Sequence, residues 1–415
     1  MTVAQQDLKA APGITSAITT RRWARFWPES GAINAIPALD GMRALAVLLV
    51  MLFHSWSFVP GSNASGANAG SSPLFYGKTG VQLFFVLSGF LLFLPYAQWI
   101  FGVRERPSAR MFYRRRALRV GPAYWASLAI LGLTLPFTLN SLRDVIFHLF
   151  FLSNLSWQTA FTINGVYWTM AIEVQFYVAL PLIAHGMYAL SRRVRPGVAG
   201  ALMTLLLMAV SVLCYVLSTR KSLSAIPIVS TALLNYSAMP YWLGVFGCGI
   251  GCSMFYVYVT KVARKPISWQ SLLRPACTAA GVLGVLLALA MAIVPPLRTM
   301  PAFDLWFGVA YAGLLLGVLF GANPFRAIFG SRPMRFVGLI SYSFYIWHRV
   351  VLHALAPHLR VGGFWLNVAV LFVVGTLLSV CVSYLSYQAF ERPFIQARQK
   401  SHDPARQAAL EVAAG

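Results

Sequence analysis

Residues 41–60 read GMRALAVLLVMLFHSWSFVP, twenty positions holding one formal charge, Arg43, and one imidazole, His54. An α-helix needs about 20 mostly apolar residues to cross the hydrocarbon core of a bilayer, so the stretch reads as a membrane span. The pattern recurs at roughly 80–101, 120–139, 164–190, 197–218, 240–259, 275–294, 303–322, 337–356 and 363–389. These segments predict an all-α, polytopic membrane protein with about ten transmembrane helices.

Composition agrees. Of 415 residues 58% are hydrophobic and 10% charged, with 33 Lys or Arg against 10 Asp or Glu. Soluble domains carry about a quarter charged residues, so this chain cannot coat a globule of its length. High hydrophobicity with sparse charge also excludes disorder for its bulk. The net charge of +23 raises a nucleic-acid partner. Sorting the basic residues by loop removes that reading. With the N-terminus cytoplasmic, 25 fall in inner segments and 6 in outer loops, while Arg43 and Arg349 lie within spans. This is the positive-inside pattern of a multi-pass membrane protein with both termini cytoplasmic, and it leaves no role for nucleic acid.

Residues 1–38 read as a cytosolic arm rather than a cleavable signal peptide, because Arg21, Arg22 and Arg25 sit where an apolar core should lie. Residues 39–394 read as one transmembrane domain, 61–72 as a flexible outer linker and 395–415 as a flexible cytosolic tail. Cys214, Cys248, Cys252, Cys277 and Cys381 all lie in apolar spans and read as packing residues, with no metal site expected.

Ionisable groups at membrane depth are costly, which makes each one a candidate. Eleven residues separate Arg43 from His54, so both lie on one helix face about 16 Å apart along the axis. Asp40, three residues before Arg43, is placed to pair with it. Glu173 falls near mid-depth in 164–190, with Tyr177 on its face and Trp168 off it. Ser341, Tyr345 and His348 form one polar stripe, His348 at a depth similar to that of His54. A structural, hydrogen-bonding role stays open beside a chemical one for His54, Glu173 and His348. The loop before the third span holds Arg114, Arg115, Arg116 and Arg119 within six positions. Arg115 and Arg119, one turn apart, could clamp a phosphate; an anchor on anionic lipid headgroups is the alternative. Ser88 reads as a small packing residue.

In order along the chain, these stretches resemble the integral-membrane acyltransferase-3 family of bacterial envelope O-acyltransferases. The first is Leu39-Asp40-Gly41-Met42-Arg43 with its Arg-x10-His spacing to His54; the second is Gly80-Val81-Gln82-Leu83-Phe84-Phe85-Val86-Leu87-Ser88-Gly89-Phe90. Arg115-Arg116 through Arg119, Pro122 and Tyr124 matches the arginine motif, and Trp168 through Glu173 to Tyr177 the glutamate helix. Residues 340–348 and Phe390-Glu391-Arg392-Pro393-Phe394 match the closing motifs. One departure is Gln82, where the family commonly has an acidic residue, so a carboxylate role is absent there. The stand-alone form, without an extracytoplasmic hydrolase-like domain, is expected.

The resemblance implies a cytosolic acyl-CoA donor, acetyl-CoA by default, and a hydroxyl acceptor on a cell-envelope glycan or glycolipid. It implies His54 as general base assisted by Glu173, with Arg43, Arg115, Arg116, Arg119 and Tyr124 on the donor. Asp40, Trp168, Tyr177, Tyr345 and His348 are then acceptor-binding or structural. A macrolide or other secondary metabolite is the alternative acceptor. A proton-coupled transporter of a polar or amphiphilic solute is the alternative function, weakened by the absence of a visible internal repeat.

Overall fold

The computed structural model describes residues 36–62, 64, 69–134, 141–219, 236–263, 267–300 and 302–400. Most of the expected N-terminal arm, part of the 61–72 linker and the tail beyond residue 400 lie outside the described residues. Among the described residues the regular structure is helical, without strands.

Eight segments are long and apolar enough to cross a membrane. They contain α1 (Pro37–Ser57), α2 (Gly80–Ile100), α5 (Tyr167–Ser191), α6 (Pro196–Ser218), α7 (Met239–Val257), α8 (Ile267–Ile293), α9 (Phe303–Phe320) and α13 (Phe364–Ser386). Between them run α3 (Ala109–Thr134), the short α4 (Leu142–Leu149), α10 (Asn323–Gly330), α11 (Arg332–Leu339) and α12 (Ser341–Leu355). After α13 the chain widens into a π turn, Tyr387–Glu391, and ends in α14 (Arg392–Lys400).

The two remaining expected spans are helical but differ in kind. The first half of α3 carries the arginines, so its apolar stretch is short. The expected span 337–356 is broken at Ile340, where α11 ends and α12 begins. The 15 residues of α12 rise about 22 Å, less than the ~30 Å hydrocarbon core.

Lipid tails are as apolar as leucine, so helices in a bilayer associate through close packing and polar ties rather than hydrophobic burial. Both devices are present. A Cβ added at Gly89 on α2 would stand 2.2 Å from the Phe246 carbonyl oxygen on α7, and one at Gly249 would stand 2.0 Å from that of Val86. The two backbones touch, and only glycine lets them. Beside this seam Phe246 stacks on Phe85 and on Phe176, with ring centroids 4.5 and 3.8 Å apart, which brings α5 into the same layer. Gly249→Leu should push α2 and α7 apart, at an over-packing cost of about 1–3 kcal/mol or more. The expected readout is a lower thermal unfolding midpoint in detergent; an unchanged midpoint would contradict the seam.

The polar ties converge on α9. Gln82 Nε2 donates to Asp304 Oδ1 at 2.7 Å and the Tyr241 hydroxyl to Asp304 Oδ2 at 2.9 Å, linking α2, α7 and α9. Gln82, where the resemblance leads one to expect an acid, thus faces a carboxylate on another helix. Helices α6, α8 and α13 leave most of their surface outward. The interior lies among α1, α2, α5, α7 and α12, where the candidate residues meet.

Candidate active site

Helix α1 carries His54 near its end, and α12 delivers His348 to the same depth. His54 Nδ1 and His348 Nε2 are 3.0 Å apart. The fully buried His348 points its Nδ1 at two backbone carbonyls, of Tyr345 at 2.8 Å and of Phe344 at 3.2 Å. Carbonyl oxygens only accept, so the proton of His348 is on Nδ1 and its Nε2 is an acceptor. His54 must therefore donate from Nδ1, which leaves the lone pair of its Nε2 uncommitted. The partners assign this tautomer. The His54 ring also has a backbone hydrogen bond to Val50, one turn back on α1, and the residue keeps some accessible surface.

Deeper along the interior, Ser88 Oγ donates to Glu173 Oε1 at 2.9 Å, and the Tyr177 hydroxyl hydrogen-bonds to the same carboxylate. Ser88 therefore holds the glutamate, and the close packing expected of it falls to Gly89 next door. Arg43 lies within electrostatic reach of Glu173, Tyr177, Asp40 and Arg119. Tyr345 accepts a hydrogen bond from Thr169 Oγ1 at 2.9 Å, and its ring lies 5.6 Å from that of His348 and 5.8 Å from that of Phe84. Arg43, Glu173, Tyr177, Tyr345, His348 and His54 thus form one run through the interior. Arg43, His54, Phe84, Ser88 and Glu173 stay partly exposed although Met42, Ala44 and Val47 on α1 are fully buried.

Other sequence expectations change. No ion pair joins Asp40 to Arg43; Asp40 Oδ2 is buried without a hydrogen bond, in the field of Arg43, Arg335 and Arg119. Arg119 is not available to clamp a phosphate with Arg115, because its Nη1 pairs with Glu391 Oε2 at 2.7 Å. Glu391 also accepts from Ser343 Oγ at 2.6 Å. Glu391 and Asp304 are buried too, near the ends of their spans. Arg115 and Arg116 remain partly exposed on α3, and Arg116 lies within reach of Tyr177.

Tyr124 is not presented to a ligand: it is fully buried, donates its hydroxyl to the His148 carbonyl at 3.0 Å and stacks on Phe151 at 4.2 Å. Trp168 packs into an aromatic group, 4.9 Å from Tyr236 and 6.1 Å from Trp242. His54 contacts His348, not Glu173. Sequence reading also passed over His148, whose Nδ1 faces the Asp144 carbonyl at 2.9 Å and its carboxylate at 3.2 Å. Burial holds this imidazole below its ordinary range despite that carboxylate.

The arrangement offers a neutral imidazole with a free lone pair, a held carboxylate and a group of arginines toward one end. Comparison with known proteins shows what the chain is similar to. The Bacillus subtilis protein YrhL is 28% identical over 382 residues, covering 86% of this chain and 54% of that protein. Nodulation protein 10 of Rhizobium leguminosarum is 26% identical, covering 86% of this chain and 93% of its own length. Peptidoglycan O-acetyltransferase OatA of Listeria monocytogenes is 25% identical over 86% of this chain and 55% of its own. The chain thus spans about half the length of YrhL and OatA. No solved structure matches it. The acyltransferase-domain family, Acyl_transf_3, matches residues 36–388, nearly the whole helical body that holds these side chains, and the chain belongs to that family.

Proposed function

We propose that this chain is a membrane O-acyltransferase that moves an acyl group, acetyl by default, from cytosolic acyl-CoA to a hydroxyl of a cell-envelope glycan or glycolipid. Residues 39–394 are its transferase unit, in a bacterial inner membrane with both termini cytoplasmic. The observation that carries this reading is the His54–His348 pair, which leaves His54 Nε2 as an acceptor. The names of the relatives, peptidoglycan O-acetyltransferase among them, support the envelope acceptor.

In this reading His54 Nε2 takes the proton of the acceptor hydroxyl as its oxygen attacks the thioester carbonyl. The oxygen–carbon bond forms, the carbon–sulfur bond breaks, and the imidazolium returns its proton to the departing thiolate. His348 Nε2 accepts from His54 Nδ1 throughout, fixing the ring and stabilising the imidazolium. Glu173, held by Ser88 and Tyr177, positions the acceptor rather than contacting His54. Arg115 and Arg116 meet the donor phosphates, with Arg43 further in. Arg119 shapes that region through Glu391.

Purified protein in nanodiscs should transfer labelled acetyl from acetyl-CoA to an envelope glycan fraction. Arg115→Ala should raise KM for acetyl-CoA about tenfold, the worth of one charge-assisted contact, with a smaller change in kcat. Absence of both transfer and a thermal shift with CoA would sink the reading and favour the transporter.

A further inference from the structure

One cation near the histidine pair is left unused by this mechanism. Arg349 follows His348 on α12 and lies within electrostatic reach of both His54 and His348. Its guanidinium sits 5.8 Å from the Phe58 ring, at the end of α1. A Cβ added at Gly165, just before α5, would stand 2.8 Å from Arg349 Nη1 and 2.9 Å from its central carbon. Glycine at 165 is what makes room for the fork.

These neighbours fix where the charge stands. Helix α1 begins beside Asp40, in the field of Arg119 and Arg335, and ends at Phe58 beside Arg349. Arg349 is therefore at the opposite end of the bundle from the arginine cluster, with the histidine pair between them. Asp40, Glu173 and Glu391 all lie with the arginines of the other end. Arg349 makes neither an ion pair nor a hydrogen bond among the described residues, and it is partly exposed. An arginine fork with its donors unassigned, set against an aromatic ring and a bare stretch of backbone, is suited to a planar or tetrahedral anion.

Resting on the acyl-transfer reading, we propose that Arg349 is the acceptor-specificity residue: its guanidinium binds an anionic substituent, carboxylate or phosphate, on the molecule whose hydroxyl reaches His54. The acceptor class is then an acidic glycan or a phosphorylated glycolipid rather than a neutral sugar. The donor and acceptor charges are received at opposite ends of the bundle, so the two substrates do not compete for the same arginines.

The test uses the full-length protein in nanodiscs with CoA saturating, so that the other arginines are occupied. Glucuronate and glucose, one ring with and without a carboxylate, are compared by tryptophan fluorescence titration, with inorganic phosphate as a further arm. Wild type should bind glucuronate about tenfold or more tightly than glucose, the worth of a charge-assisted contact. Arg349→Gln should erase that preference and Arg349→Lys should keep part of it. Gly165→Ala, by intruding on the guanidinium, should reduce it, and Arg143→Gln, an exposed cation elsewhere, should leave it intact. Whether phosphate competes with glucuronate reports which anion the fork prefers. Equal binding of the two sugars by wild type, or a preference that survives Arg349→Gln, overturns the assignment. Labelled acetyl transfer to an envelope fraction is measured on the same preparations. Preference without any transfer overturns the acyl-transfer reading and the acceptor role with it.

Discussion

His54→Ala should lower acetyl transfer by about 10²–10⁴, the range a positioned general base supplies, while the protein remains folded in the membrane. The argument rests on one atom. His54 Nδ1 is committed to His348, so Nε2 is the atom left to take a proton. His348→Ala removes the acceptor that orients the ring and should cause a smaller loss. The two residues act as a unit, so His54→Ala/His348→Ala should be no slower than His54→Ala alone. Transfer of labelled acetyl by the purified variants measures all three. Near wild-type turnover by His54→Ala would remove the base assignment, and fully additive losses would remove the pair.

Glu391→Ala should destabilise the fold. Its carboxylate is buried, accepts from Ser343 on α12 and is paired with Arg119 on α3, so it joins three elements. Removing one partner of a buried pair typically costs about 3–5 kcal/mol. The Arg119 side chain keeps 22% of its surface exposed, so water can take up part of its charge, and the lower end of that range is expected. The unfolding midpoint in detergent should fall clearly for Glu391→Ala and less for Glu391→Gln, which keeps a hydrogen-bond acceptor for Ser343. A midpoint unchanged in both variants would mean that the pair adds nothing to the fold.

The spans were legible because length and apolarity are local properties, and eight segments meet them. Helix α12 was harder to delimit. Its sequence is apolar through 337–356, but the backbone leaves the helix at Ile340, a break that hydropathy does not register. Depth was readable too: counting residues placed His54 and His348 at one level. Which helices adjoin was not readable, since rotation about each axis and lateral order depend on contacts distant in sequence. That is why Glu173 was assigned to His54 in place of His348, and why the hydroxyl of Ser88 was missed. Glu391 was hidden for another reason. The π turn at 387–391 continues α13 past its apolar run and turns a residue that looks cytosolic into the interior. Tyr124 shows the limit of motif reading, since it lies near the arginines in sequence but packs against Phe151 and the α4 carbonyl.

The histidine contact joins residues 294 positions apart, one in α1 and the other in α12. During translation His54 enters the membrane long before its partner exists. An incompletely inserted chain, or one cut before α12, therefore holds an imidazole that lacks its His348 partner. The pairing ties the orientation of that ring to the arrival of α12, because the contact can form only after the helices between α1 and α12 have been threaded into the bilayer.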